Sequence, residues 1–94
     1  MGYSKEIVWD KTPNEVLDYT VDWRNWLGSD TISTDSWEVD TGITAGTTID
    51  NGALRTIWLS GGTAGTTYKI TNIIETVGGR TAKRSFYINT VAAR

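Results

Sequence analysis

The segment TIWLSGGTAGTTYKIT, Thr56–Thr71, contains two alternating runs separated by a glycine-rich stretch. Before the glycines, Ile57 and Leu59 are apolar at every second position. After them, Tyr68 and Ile70 repeat that spacing. Because strand side chains point alternately to two faces, this spacing predicts two strands, each with one buried face. The intervening SGGTAGTT has no large side chain, which predicts a tight corner between the strands.

The end of this segment, Ala64–Ile70, resembles the E–F corner of immunoglobulin-like and fibronectin-III sandwiches. In those domains a tyrosine hydroxyl bonds back to the corner backbone and ties two sheets together. The resemblance implies this role for Tyr68, with Gly65 within the corner and Ile70 in the core. We therefore expect an all-β, immunoglobulin-like or fibronectin-III-like sandwich of two sheets and about seven strands.

Alternation and turn residues predict the remaining elements of one domain, residues 1–94, whose ends at 1–4 and 92–94 should fray. The predicted strands are Lys5–Trp9, Val16–Trp23, Trp37–Val39 after a short extended piece at Thr31–Ser33, Thr47–Ile49, Leu54–Leu59, Tyr68–Val77 and Ala82–Val91. Asp10–Glu15 reads as a turn, and Arg24–Leu27 as one helical turn or a bulge. Asn-Gly within Asp50–Gly52 is a strong hairpin signal.

The last two strands should form a hairpin whose loop length decides which face Phe86 occupies. A two-residue loop at Gly78-Gly79 would turn Phe86 away from the core, because a one-residue slip inverts a strand face. We expect a three-residue loop, Gly78–Arg80, with a glycine at positive φ. Under this register Ile70 pairs with Ile88.

Composition limits the chemistry that the chain can perform. Five Trp, four Tyr and one Phe supply large burial per residue, so 94 residues can build a sandwich core. Trp23, which ends an alternating run, is the expected core tryptophan. There are no cysteines and no histidines, which excludes disulfides, thiolate metal sites and Ser–His nucleophiles. We expect a protein without enzymatic activity, cofactor or metal.

The charged residues form no catalytic pattern. Asp18 and Asp22 lie on one strand face, roughly 13 Å apart at 3.3 Å per residue, which is too far for a retaining glycosidase pair. We interpret them as solvated carboxylates, and the other Asp residues have no calcium-loop spacing. Arg80, Lys83 and Arg84 are a weak phosphate footprint. We favour an edge-strand charge that opposes aggregation.

Net charge and hydropathy argue against two classes of partner. The net charge of −2 with interspersed signs gives no nucleic-acid footprint. No run is long and apolar enough to span a membrane, and the first residues lack a signal-peptide core. We therefore expect no nucleic-acid partner, no membrane partner and no secretion by a signal peptide.

Trp58 is the residue that the core does not explain. It lies between Ile57 and Leu59, so alternation points it away from the core. An outward tryptophan packs under a loop or anchors an interface. We expect Trp58, with Lys69 or Thr71 beside it, to form part of a protein–protein face.

Two longer motifs extend the comparison to most of the chain: DYTVDWRNWL at Asp18–Leu27 and WLSGGTAGTTY at Trp58–Tyr68. With KTPNEVL before them and RT…RSF after them, they resemble a family of small tailed-bacteriophage and prophage proteins described as fibre–tail adaptors or structural proteins with an immunoglobulin-like fold. The resemblance runs from Lys11 to Ile88 and transfers no catalytic residue. It implies a virion or tail component, or a prophage relic of one. Such a component is made in the bacterial cytoplasm, contacts other virion proteins and can oligomerise in the assembly.

A second class of function is carbohydrate binding or host adhesion, with an exposed tryptophan as a sugar platform. A flat apolar patch at a sheet edge would favour a protein partner. A tryptophan in a groove lined with Asp, Asn and Arg would favour a sugar. A small enzyme is a third class, which the missing histidine and cysteine disfavour.

Overall fold

The computed structural model describes residues 7–92, which form two packed β-sheets. The elements are β1 Val8–Lys11, β2 Leu17–Asp22, α1 Arg24–Leu27, β3 Ile32–Val39, β4 Ile43–Asn51, β5 Leu54–Gly61, β6 Thr67–Thr76 and β7 Thr81–Thr90. One sheet has the order β1-β7-β6-β3 and the other has the order β2-β5-β4. The predicted all-β sandwich is confirmed. The predicted strand residues Lys5 and Glu6 and the predicted fraying at 1–4, 93 and 94 lie outside the described residues.

Strand pairing leaves one side of the sandwich partly open. All neighbouring strands are antiparallel except β1, which runs parallel to β7. Within the described chain, β1 pairs only with Tyr87–Thr90, so the earlier part of β7 has no strand on that side. Strand β2 is the last strand of its own sheet. The free edges of β2 and β7 therefore lie on the same side of the molecule as β1.

The core fills the space between the two sheets with alternate side chains from each. Ile57 and Leu59 of β5 and Ile70 of β6 have no measurable exposure. The other buried apolar side chains are Tyr19, Val21, Trp23, Leu27, Ile43, Tyr68, Ile74, Phe86 and Ile88. The alternation that flanks the glycine-rich corner therefore marks the two facing layers of the core.

The corner between β5 and β6 is closed by Tyr68. The Thr63 N–H donates a 2.9 Å hydrogen bond to the Tyr68 hydroxyl, and hydrogen bonding from Thr63 lowers the pKa of Tyr68. Gly62 has φ +98°, and a Cβ there would lie 2.9 Å from Thr90 Oγ1 and 3.3 Å from the Tyr68 ring. Gly65 donates a 2.7 Å backbone bond to the Thr90 carbonyl. The corner thus needs glycine where the backbone passes closest to the tyrosine.

A buried polar chain joins the two sheets near the end of β2. The Trp23 indole N–H donates to Asn72 Oδ1 over 2.8 Å, and Asn72 Nδ2 donates to Asp35 Oδ2 over 3.1 Å. Arg55 of the opposite sheet reaches Asp35 Oδ1 at 3.3 Å, with both side chains about nine-tenths buried. Because every group in this chain has a partner, the polar atoms are compatible with burial.

Most strand ends lie within two residues of the sequence predictions, and the differences at β4, β3 and β1 have structural reasons. Strand β4 has nine residues rather than the three of Thr47–Ile49. Most of its side chains are exposed, so its sequence carries no hydrophobic period. Strand β3 is continuous from Ile32 and contains an irregularity between Ile32 and Thr34. Strand β1 extends to Lys11, which the sequence analysis placed in a turn. The Lys11 side chain is buried, and its amine donates hydrogen bonds to two backbone carbonyls.

The β6–β7 hairpin has the predicted odd loop but a different register. Phe86 is buried and Gly79 has φ +90°, as predicted. However, Ile70 pairs with Phe86 rather than with Ile88. The loop is Val77–Gly79, because the Thr76 N–H donates to the Arg80 carbonyl. Arg80 therefore faces Thr76 across the hairpin and is not one of the three loop residues.

Candidate partner-binding surfaces

Trp58 lies on the outer face of the three-stranded sheet. Its neighbours Ile57 and Leu59 are fully buried, whereas Trp58 is half-buried and pairs with Asp18 of β2. Gly46 of β4 lies against the backbone of Trp58, where an added Cβ would be 3.4 Å from its carbonyl oxygen. The outer face around Trp58 therefore has a glycine on one side of the tryptophan and the carboxylate of Asp18 on the other. Trp58 lines neither the groove beside Trp9 nor the one beside Leu27.

Lys69 and Thr71 lie on the outer face of the other sheet. Lys69 is exposed and pairs with Tyr87, whereas Thr71 is only 6% exposed and its hydroxyl is 2.8 Å from Ser85 Oγ. The structure does not bring either residue beside Trp58. The corner closed by Tyr68 carries the chain from one sheet to the other, so residues before and after it belong to opposite outer faces. The expectation of one shared face was wrong for this reason.

Arg80 of the basic cluster is held against α1. Arg80 lies 4.1 Å above the Trp26 ring, is paired with Asp30 at 3.1 Å and donates to the Leu27 carbonyl. Hydrogen bonds to the Asp30 carboxylate lower its pKa to about 2, and the bond from the Thr76 side chain has the largest effect. These contacts fix the end of the helix to the β6–β7 hairpin, so the edge-strand role expected for Arg80 is replaced by a structural one.

Arg84 of β7 lies over Trp23, the tryptophan next to Trp26. Its guanidinium lies 4.6 Å from the centre of the Trp23 ring and donates to the Asp22 carbonyl at 2.7 Å. The Asp22 carboxylate is bound by Arg24, which lowers its pKa to about 2. Trp23 itself is 1% exposed and packs edge-on against Trp26. The end of β2 is thus sealed by arginines on tryptophan faces, an arrangement that favours cation–π attraction.

An apolar groove opens between the edges of β2 and β7, beside β1. Its volume is about 240 Å³ and its apolar lining comprises Ile7, Trp9, Tyr19, Val21 and Phe86. Trp9 is 51% exposed although it pairs with the buried Ile88. The Trp9 ring contacts Tyr19 at a centroid distance of 6.3 Å. We define this surface, with its polar margin of Thr20, Asp22, Arg84 and Ser85, as the β2 groove.

The sequence analysis did not reveal the β2 groove and placed Trp9 at the end of the first predicted strand. The groove depends on the short parallel pairing of β1 with β7, which local alternation does not reveal. The available signal was the unbroken apolar run Ile7–Trp9, since a strand buried on one face would alternate. Ile7, Val8 and Trp9 are each about half exposed.

Among residues 7–92, no three acidic side chains lie close enough together to hold a metal ion. In the same residues, no helix has the length and apolar character needed to cross a membrane.

Comparison with known families places these surfaces in context. Residues 11–89 match the family model described as podophage GP4 fiber-tail adaptor protein gp77. The chain belongs to this fibre–tail adaptor family. No curated protein matches it. The family match confirms the resemblance to tailed-phage structural proteins and supports a structural adaptor role in the phage particle.

Proposed function

We propose that this fibre–tail adaptor family member is a non-enzymatic component of a phage virion or tail that acts through protein–protein contacts. The match of residues 11–89 to the adaptor family carries the proposal. The residue types support it, because a chain without histidine or cysteine lacks the commonest general base and thiolate nucleophile. An adaptor of this kind works by holding its neighbours at a fixed distance and orientation.

Two opposite outer faces suit an adaptor that joins two neighbours. Trp58 lies on the three-stranded sheet and Lys69 on the four-stranded sheet, so each can contact a different protein. Tryptophan is enriched among residues that dominate interface energetics, which makes Trp58 the stronger of the two contacts. Thr71, which is buried against Ser85, supports the second face and does not itself reach a partner.

The interior supports the same function by making the sandwich stiff. The chain from Trp23 through Asn72 and Asp35 to Arg55 crosses between the sheets, so they cannot slide without breaking buried hydrogen bonds. The carbohydrate-binding alternative gains no support, because Trp58 lines neither of the two grooves described above.

Particle association tests the proposal. Phage particles carrying wild-type, Trp58→Ala or Lys69→Glu chains are purified, and the amount of the chain per particle is measured by mass spectrometry. We expect the wild-type chain in the particle and a loss of about tenfold or more for Trp58→Ala, since interface tryptophans often contribute 2 kcal/mol or more. Lys69→Glu should have a smaller effect, because rim charges act mainly on association rate.

The matched control is Val77→Ala, which changes a side chain that is 72% exposed in the β6–β7 loop. Thermal unfolding of each purified variant must show that it is folded. Absence of the wild-type chain from particles would refute the proposed function. Full retention of both folded variants would refute the assignment of the two faces.

A further inference from the structure

The β2 groove lies between two strand edges that have no neighbour among residues 7–92. Strand β2 hydrogen-bonds to β5 on one side only, and β1 covers only the Tyr87–Thr90 part of β7. A free edge presents a row of unpaired backbone N–H and C=O groups. Such groups bind an extended chain. The Asp22 carbonyl already accepts a hydrogen bond from Arg84, so the open part of the β2 edge lies before Asp22.

The side-chain surface of the groove favours the same kind of occupant. Tyr19 and Phe86 form a floor, with ring centroids 5.6 Å apart, while Ile7 and Trp9 leave about half of their surfaces exposed at one end. Added strands place every second side chain on the inner face. A strand beside β2 would therefore insert alternate apolar side chains over this floor and cover Trp9.

The outward side chains of β2 select the charge of the occupant. Asp18 is exposed, and within the described chain its carboxylate has no hydrogen bond or ion pair. Asp22 is already paired with Arg24, so Asp18 is the open carboxylate of β2. A second copy of this chain pairing antiparallel about Thr20 would set Asp18 opposite this compensated pair and would offer it no unpaired cation. A strand with lysine or arginine on its outward face would instead pair with Asp18.

From these observations we infer that the β2 groove binds an extended strand of another protein, with apolar side chains inward at alternate positions and basic side chains outward. This inference deepens the proposed function, on which it rests for the source of the strand, namely a neighbouring virion protein. Backbone bonds to the β2 edge supply affinity, and the groove and Asp18 supply specificity.

Two synthetic peptides test the inference without knowledge of the natural partner. The basic probe is acetyl-KVTVKVT-amide, whose two lysines have the same spacing as Asp18 and Asp22. The acidic control is acetyl-EVTVEVT-amide. Amide hydrogen exchange of Leu17–Asp22 and the fluorescence of Trp9 are followed during titration. We expect the basic peptide to slow exchange in β2 and to bind about tenfold or more tightly than the acidic peptide.

Variants of the full chain localise the binding. Ile7→Ala should weaken binding several-fold, whereas Ile49→Ala, at a similar exposure on β4, should not change it, because these isoleucines are 52% and 47% exposed on opposite sides of the molecule. Asp18→Lys should reverse the preference, so that the acidic peptide binds more tightly than the basic one. Such a reversal would not follow from a loss of folding.

Three outcomes would overturn the inference. The first is no protection of β2 by either peptide. The second is protection that is already present in the free chain and is lost only when residues 1–6 are deleted, which would assign the groove to the chain's own first residues. The third is a stable dimer that the peptide dissociates, which would assign the groove to a second copy. None of these outcomes changes the amount of chain in particles, so the proposed function is tested separately.

Discussion

Trp23 and Trp9 both lie beside β2, but the molecule holds them in different ways. Trp23 is 1% exposed, its indole N–H is bonded to Asn72, and Arg84 covers its ring. Trp9 is 51% exposed and overhangs a groove. A tryptophan with a satisfied N–H and a covered ring contributes to the free energy of folding. A half-exposed tryptophan over an apolar groove retains surface that a partner can bury.

The largest expected effect is at the sealed tryptophan. Trp23→Ala should lower the free energy of unfolding by about 3–5 kcal/mol, through the cavity and the loss of the hydrogen bond to Asn72. Urea unfolding followed by circular dichroism measures this loss. A loss below about 1 kcal/mol would show that the Trp23 end is not the stabilising part of the core.

The ion pair next to Trp23 should be almost as important. Arg55→Met leaves the Asp35 carboxylate buried without its cation and should cost about 3 kcal/mol. Replacing both partners, by Arg55→Met with Asp35→Leu, should recover part of that loss, because the uncompensated charge is removed. A double-mutant cycle of unfolding free energies gives the coupling. If the loss in the double variant equals the sum of the losses in the two single variants, Arg55 and Asp35 are not energetically coupled.

The corner tyrosine should have an intermediate effect. Tyr68→Phe removes the acceptor for the Thr63 N–H but keeps the ring, so we expect a loss of about 1–2 kcal/mol in chemical unfolding. Tyr87→Phe, which removes the hydroxyl of a tyrosine outside the corner, serves as the control. Equal stability of Tyr68→Phe and the wild type would mean that water replaces the hydroxyl at no cost.

The open tryptophan should matter little for folding. Trp9→Ala should reduce stability by about 1 kcal/mol or less, because its side chain is half exposed and the loss of its contact with Tyr19 is the main change. Comparison with Trp23→Ala in the same unfolding experiment tests the contrast directly. Equal losses for the two variants would remove the distinction between a sealed and an open site.

The contribution of Asp30 to the stability of the helix end should depend on pH. The pKa of Asp30 is lowered to about 2 from its ordinary 3.8, so its contribution to stability is present above pH 3.8 and is lost as the pH falls towards 2. Asp30→Asn should therefore flatten the acid limb of the stability curve while leaving its shape near neutral pH unchanged. An acid limb as steep as that of the wild type would place this dependence on other carboxylates.

The sequence predicted the strands that have one buried face and failed where burial on one face was incomplete. Ile57, Leu59 and Tyr68 each lie in the core, where the alternation of inward and outward positions placed them. The length of strand β4 was underestimated, because most of its side chains are exposed and a strand exposed on both faces has no hydrophobic period.

The candidate surfaces were less predictable, because they depend on which sheet each strand joins. Alternation gave the outward direction of Trp58 and Lys69 but not their separation onto two sheets. The tyrosine corner contained that information, since it joins strands of opposite sheets. The β2 groove depends on the parallel pairing of β1 with β7, a long-range contact that no local pattern encodes.

The most direct test of the account is the amount of the chain in purified phage particles for the wild type, Trp9→Ala and Val77→Ala. Trp9 and Val77 are both exposed apolar residues, but only Trp9 lines the β2 groove. We predict equal amounts of the wild type and Val77→Ala, and about tenfold less of folded Trp9→Ala. A wild-type chain missing from the particles, or folded Trp9→Ala present at the wild-type level, would contradict the account.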